Sequence, residues 1–138
     1  MNSMKAIIAV LVLAAAPLAM ARECTDAQGN DISNQPEIFQ ELISKSANCY
    51  EAKELAQACA WGSSLDSTTA FNAYAVCEKD LVKFKAPKAD TDLLKTMEER
   101  CQAHHDLNGG TMAISSTAYC HLSAISFIVN LIWENEVY

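Results

Sequence analysis

No stretch of this 138-residue chain alternates apolar and polar residues for long enough to argue for a sheet, and that alternation is what a half-buried strand requires. There is no C-x-x-C pair, the close ligand spacing of a cysteine-based zinc site. There is no glycine-rich phosphate loop to cradle a nucleotide. Ser115-Ser116 lies in no G-x-S-x-G frame, so the nucleophile elbow of an α/β-hydrolase is missing. Internal repeats and low-complexity tracts are absent too. Basic residues are scarce, ten Lys plus Arg against seventeen Asp plus Glu. Such a balance disfavours nucleic acid and anionic lipid and steers encounter toward cationic partners. Plain solubility is the commoner use of a net negative charge.

The N-terminus sets the compartment. Lys5 precedes an apolar run from Ala6 to Ala16, Pro17 breaks it, and Ala19-Met20-Ala21 fits a small-x-small cleavage site. This predicts a cleaved secretory signal peptide over 1–21 and a single domain over 22–138. The run is too short for a membrane span, which needs about 20 residues. Arg22, not cysteine, follows the cut, so lipidation is not expected. The mature chain holds nine Lys plus Arg against seventeen Asp plus Glu, a net charge of −8.

All six cysteines lie in that mature part: Cys24, Cys49, Cys59, Cys77, Cys101 and Cys120. An even count in a short exported chain predicts a disulfide framework and a periplasmic or secreted location. Fifteen pairings are open. Cys101 ends a helix-like run, Asn108-Gly109-Gly110 breaks the chain, and Cys120 lies in the next run. A bond between these two would staple a helical hairpin. Cys49 and Cys59 stand about 15 Å apart along a straight helix, whereas a disulfide needs α-carbons within about 7 Å. They can pair only if Cys49 sits in the preceding turn and folds back.

Helical spacing and breakers divide the mature chain into five runs. The first starts at Pro36, capped by Ser33 or Asn34, and fades near Ser46-Ala47-Asn48. The second covers Cys49 to Trp61. The third covers Asp66 to Lys85, capped by Asp66 or Ser67, with Phe71, Tyr74, Cys77 and Leu81 as its core stripe and Val82 and Phe84 extending it. Ala86 to Asp90 is a linker, and the fourth covers Asp92 to His105. The last runs from Thr111 or Ser115 to Trp133, and its stretch Ala124 to Trp133 is apolar nearly all round, as a central core helix would be. The expected class is all-α, a disulfide-stapled up-and-down bundle of four or five helices.

Chemistry-bearing clusters are few. His105-Asp106 after Cys101 resembles the His-Asp pair of secreted phospholipases A2, which implies a small secreted hydrolase. Three residues separate Cys101 from His105 here rather than two, and no calcium loop lies upstream. Surface histidines near a helix C-terminus are the plainer account. Cys101-x-x-His104 with Cys120-His121 is the nearest approach to a metal site. No cofactor, metal or catalytic residue is expected. Glu98 and Glu99 mark a solvated acidic face, and Trp133, Glu134 and Glu136 form a tail suited to recognition. Trp61 and Trp133 each end a helix, where packing is the commoner role and a partner contact the alternative.

Cys49, Cys59, Asp66, Asn72, Tyr74, Cys101, Gly109-Gly110 and Cys120 follow one another in an order that resembles the lysozyme-inhibitor LprI-like group of small exported bacterial proteins. The resemblance covers about 48–131. Leu93 to Arg100 stands where that group carries a tryptophan and an Arg-Asp. Cys24 and Cys77 are extra to the pattern and free to pair with each other. The resemblance implies a helical envelope protein and, in some members, inhibition of lysozyme-type cell-wall hydrolases. The expected role is therefore an exported inhibitor or immunity protein that is not an enzyme. Its expected partner is a protein, in the first place a cationic cell-wall hydrolase, with neither nucleic acid nor a stable membrane span involved. A non-inhibitory envelope interaction module is the alternative.

Overall fold

A computed structural model describes residues 22–137. The predicted signal peptide, 1–21, lies outside the described residues. Five helices follow in order: α1 Pro36–Ser44, α2 Cys49–Ala58, α3 Leu65–Lys83, α4 Lys88–Asn108 and α5 Gly110–Val137. An irregular arm precedes them, pinched by an isolated bridge between Thr25 and Asp31. The fold is the expected all-α, disulfide-stapled bundle.

Local chemistry sets the helix ends. Pro36 opens α1, where its missing N–H leaves no helix bond unmade. The residue before it, Gln35, occupies the cap position without a side-chain bond, so neither Ser33 nor Asn34 caps as expected. Asp31 binds the Ser33 amide instead. Asn48 does not merely mark fading: its side chain accepts the Glu51 amide at 2.9 Å and starts α2. Glu51 reaches back to the Ala47 amide at 3.1 Å, a reciprocal arrangement close to a capping box. The expected linker is shorter than the sequence implies. Pro87 is the cap of α4 and Lys88 is already helical, because proline, lacking an N–H, ends a preceding helix but readily stands at the start of the next.

Helix α5 is the central element, and it is longer than expected at 28 residues. It touches α2, α3 and α4. Ala118, Leu122, Ile125, Ile128, Val129 and Ile132 bury its inner face. The segment Gly110–Glu136 is long and apolar enough to cross a membrane by length and composition alone, and 44% of its most apolar stretch is buried inside the bundle. The partner stripe on α3 differs from expectation. Ala70, Ala73, Val76 and Cys77 are buried, while Phe71 is 58% exposed and Val82 79%. Small side chains let α3 lie close to α1, α2 and α5 together, so Phe71 and Val82 fall outside, while Cys77 is buried and Tyr74, Leu81 and Phe84 pack against the core as expected.

Three disulfides link the elements. Cys24–Cys59 ties the arm to the end of α2, Cys49–Cys77 ties the start of α2 to α3, and Cys101–Cys120 joins α4 to α5. The last is the expected hairpin staple. Cys49 does not meet Cys59, and Cys24 does not meet Cys77. Cys49 and Cys59 bracket α2 from opposite ends, so each reaches a different neighbour.

Candidate functional site

Two buried carboxylates organise the frame from which the surface sites project. Asp66, in the first turn of α3, accepts the amides of Trp61, Gly62 and Ser63 at 2.8, 2.7 and 3.3 Å. It thus holds the α2–α3 loop rather than capping its own helix. Ser115 on α5 donates to the Ser63 carbonyl at 2.9 Å, and Tyr119 donates to the Ala56 carbonyl at 2.7 Å. Burial, and then the Asp66 charge, raise the Tyr119 hydroxyl well above its ordinary pKa. Asp80 accepts the Cys49 amide at 2.7 Å at the start of α2, where a negative charge is favourable.

Beside Asp80 lies a groove of about 430 Å³ between the start of α2, the end of α3 and α5. Tyr50, Phe84, Val129 and Trp133 give it apolar walls, with Asp80 and Lys83 as its charged residues. The Lys83 ammonium stands 5.2 Å from the Phe84 ring centre, within cation–π range. Tyr50 is 62% exposed and Trp133 55%. Glu134 and Glu136 follow Trp133 on α5 and are exposed. This tail is helical through Val137.

A smaller cavity of about 150 Å³ sits between α3, α4 and α5. Phe71, Ile114 and Ala118 form apolar walls, and His105, Thr117 and His121 also line it. Glu98 stands behind it. The Tyr74 hydroxyl donates to Glu98 Oε1, and His121 Nδ1 lies 4.0 Å from the same oxygen. Burial first, and then this carboxylate, push the Tyr74 hydroxyl well above its ordinary pKa. Nε2 of His121 and Oγ1 of Thr117 are buried without a hydrogen-bond partner.

The predicted contact residues therefore separate. Trp133 lines the groove, whereas Glu134 and Glu136 are exposed on α5 and are not among the residues that line it. Glu98 is only a quarter exposed and is engaged with Tyr74, so it does not belong to a free acidic face; Glu99, its neighbour, is exposed. His105 Nδ1 and Asp106 Oδ1 are 3.4 Å apart at the exposed end of α4. Asp106 also accepts Gln102 Nε2 at 3.0 Å. Gln102 and then His105 hold its carboxyl below the usual range. Cys101 and Cys120 are bonded to each other and offer no thiolate to a metal. Sequence reasoning missed Tyr50, Asp80 and the Thr117–His121 pair. The i, i+4 spacing of Thr117 and His121, which places them on one helix face, was the available signal for the last.

No family model, no curated protein and no solved structure matches this chain.

Proposed function

We propose that this chain is an exported binding protein that inhibits a cationic, lysozyme-type cell-wall hydrolase, docking it on the Trp133 groove. The groove carries the reading. Half-exposed Trp and Tyr are the side chains that most often anchor protein interfaces, and here Tyr50 and Trp133 flank one cleft with Phe84. Glu134 and Glu136 are exposed on the last turns of the same helix, and Lys83 is the single cation among the lining residues. The mature chain's charge of −8 adds a long-range field that raises the on-rate of a basic partner.

Other features support the compartment and the role. Three disulfides suit the periplasm or the extracellular space. The cysteine order resembles that of the LprI-like inhibitors. In this reading no residue of the chain is catalytic: it acts by covering its partner's surface.

A turbidity assay tests the proposal. Lysozyme clearing of a cell-wall suspension should slow in proportion to added protein, and Trp133→Ala should lose most of that protection. Undiminished clearing at large molar excess would reject the inhibitor. A small hydrolase working through His105 and Asp106 is the competing reading, favoured by their 3.4 Å contact. Hydrolysis of a cell-wall or lipid substrate that disappears in His105→Ala would select it.

A further inference from the structure

The three disulfides are not equally placed. Cys24, Cys49, Cys59 and Cys77 are each at most 8% exposed, so both of their bridges lie inside the bundle. In the third bridge Cys101 is buried, but Cys120 is exposed. Cys120 sits within α5, where the neighbouring turns cover the backbone, so solvent meets its side chain, whose only atom beyond Cβ is the sulfur. The helix held by this bridge is also thinly anchored. Of the described residues of α4, only Leu94 and Cys101 are buried. Among the described helices, α4 runs beside α5 alone. Met97 packs against the core, and Tyr74 on α3 donates to Glu98. The bridge and the turn at Gly109 supply the covalent hold of α4 on α5.

We propose that Cys101–Cys120 is a thiol-exchange site for a dithiol reductant, and that its opening frees α4 while the rest of the bundle stays closed. Access decides which bridge reacts. A thiolate has to reach a sulfur in order to attack it. Cys120 offers one at the surface, and the other two bridges offer none until the fold opens. One thiolate of the reductant attacks Cys120 Sγ, the S–S bond breaks, and Cys101 leaves as a thiolate. The second thiolate of the reductant then attacks the mixed disulfide, closes the reductant's own S–S bond and releases Cys120. Two electrons and two protons pass from the dithiol, which ends as a disulfide, to the bridge, which ends as two thiols. The consequence is local, because a segment with few buried apolar contacts opens at low free energy. The other bridges join the arm to α2 and α2 to α3, and neither touches α4. Opening uncovers Leu94, Met97 and the side of α5 beneath them, a second surface that the oxidised protein keeps closed.

The test exposes the full disulfide-bonded protein to limiting dithiothreitol, alkylates the thiols that appear and maps them by mass spectrometry. Cys101 and Cys120 should alkylate about tenfold or more faster than the other four, whose sulfurs wait on an opening of the fold. Brief trypsin digestion then reads where the chain has opened. In the form with only this bridge reduced, cleavage at Lys95 and Arg100, both exposed on α4, should rise about tenfold or more, since a protease cuts opened segments. Cleavage at Lys53 in α2 and Lys79 in α3 should not change. The double variant Cys101→Ser, Cys120→Ser should show the same pattern with no reductant present. Reduction of a buried bridge first, or of all three in step, would overturn the proposal. So would α4 staying protected after its bridge is reduced, or Lys53 and Lys79 opening with it. The reduced wild type decides the matter even if the double variant fails to fold. No residue of α4 lines the Trp133 groove, so lysozyme protection is a separate readout and the two proposals fail independently.

Discussion

Asp66 shows how a single side chain can hold a fold that its own helix does not need. Its carboxylate gathers three amides of the α2–α3 loop while only 4% exposed. Asp66→Ala should lower stability by about 1.5–3 kcal/mol, because three part-buried loop amides would lose a charged partner; the urea midpoint measures it. Tyr74 and Tyr119 make a second test. Both hydroxyls are raised above the ordinary value of 10.0. The stability they contribute is complete below that value and is lost as pH rises through the higher folded values. In a phenolate absorbance titration, Tyr74 and Tyr119 should therefore ionise at higher pH in the native protein than in urea. Coincident native and urea titration curves would contradict the burial described for Tyr74 and Tyr119. Little at this scale was legible in advance. Asp66 reads as a helix cap and Glu98 as surface, since neither the loop over Asp66 nor the Tyr74 hydroxyl behind Glu98 is near in sequence terms.

Helices were far more legible, because their periodicity and breakers are local. Four or five were expected and five are present among the described residues; Gly109 alone divides the last two, since Gly110 already opens α5. The α3 core face was misjudged for a physical reason: size suggested Phe71, but close packing against three helices selects Ala70 and Ala73. Ala73→Leu should thus cost about 1–3 kcal/mol by overpacking, while Phe71→Ala should cost little. The disulfide pairing could not be chosen from spacing, since α2 carries a cysteine at each end and both ends have neighbours. Digestion under non-reducing conditions should yield the linked peptides Cys24–Cys59, Cys49–Cys77 and Cys101–Cys120. A Cys49–Cys59 peptide would contradict the architecture. At the end of α3, Lys85 adopts a positive φ of 50°, a conformation that favours glycine. Lys85→Gly should leave stability unchanged or raise it by up to about 1 kcal/mol, measured in the same urea series.

The whole molecule combines a stapled frame with an uneven surface. Each bridge contributes typically about 2–4 kcal/mol, so a chain of this length keeps a rigid bundle while leaving Tyr50, Trp61 and Trp133 half-exposed. Composition made the acidity plain and marked Trp133, but not the groove around it. Tyr50 and Phe84 come from α2 and the end of α3, and only folding brings them to α5. The docking reading is tested most directly by calorimetric titration of the disulfide-bonded protein with lysozyme, at low and at high salt, beside Trp133→Ala. Saturable binding that weakens with salt, and falls by about thirtyfold in the variant as expected of an interface anchor, is the predicted result. No heat of binding at low salt, or equal affinity for wild type and Trp133→Ala, would contradict it.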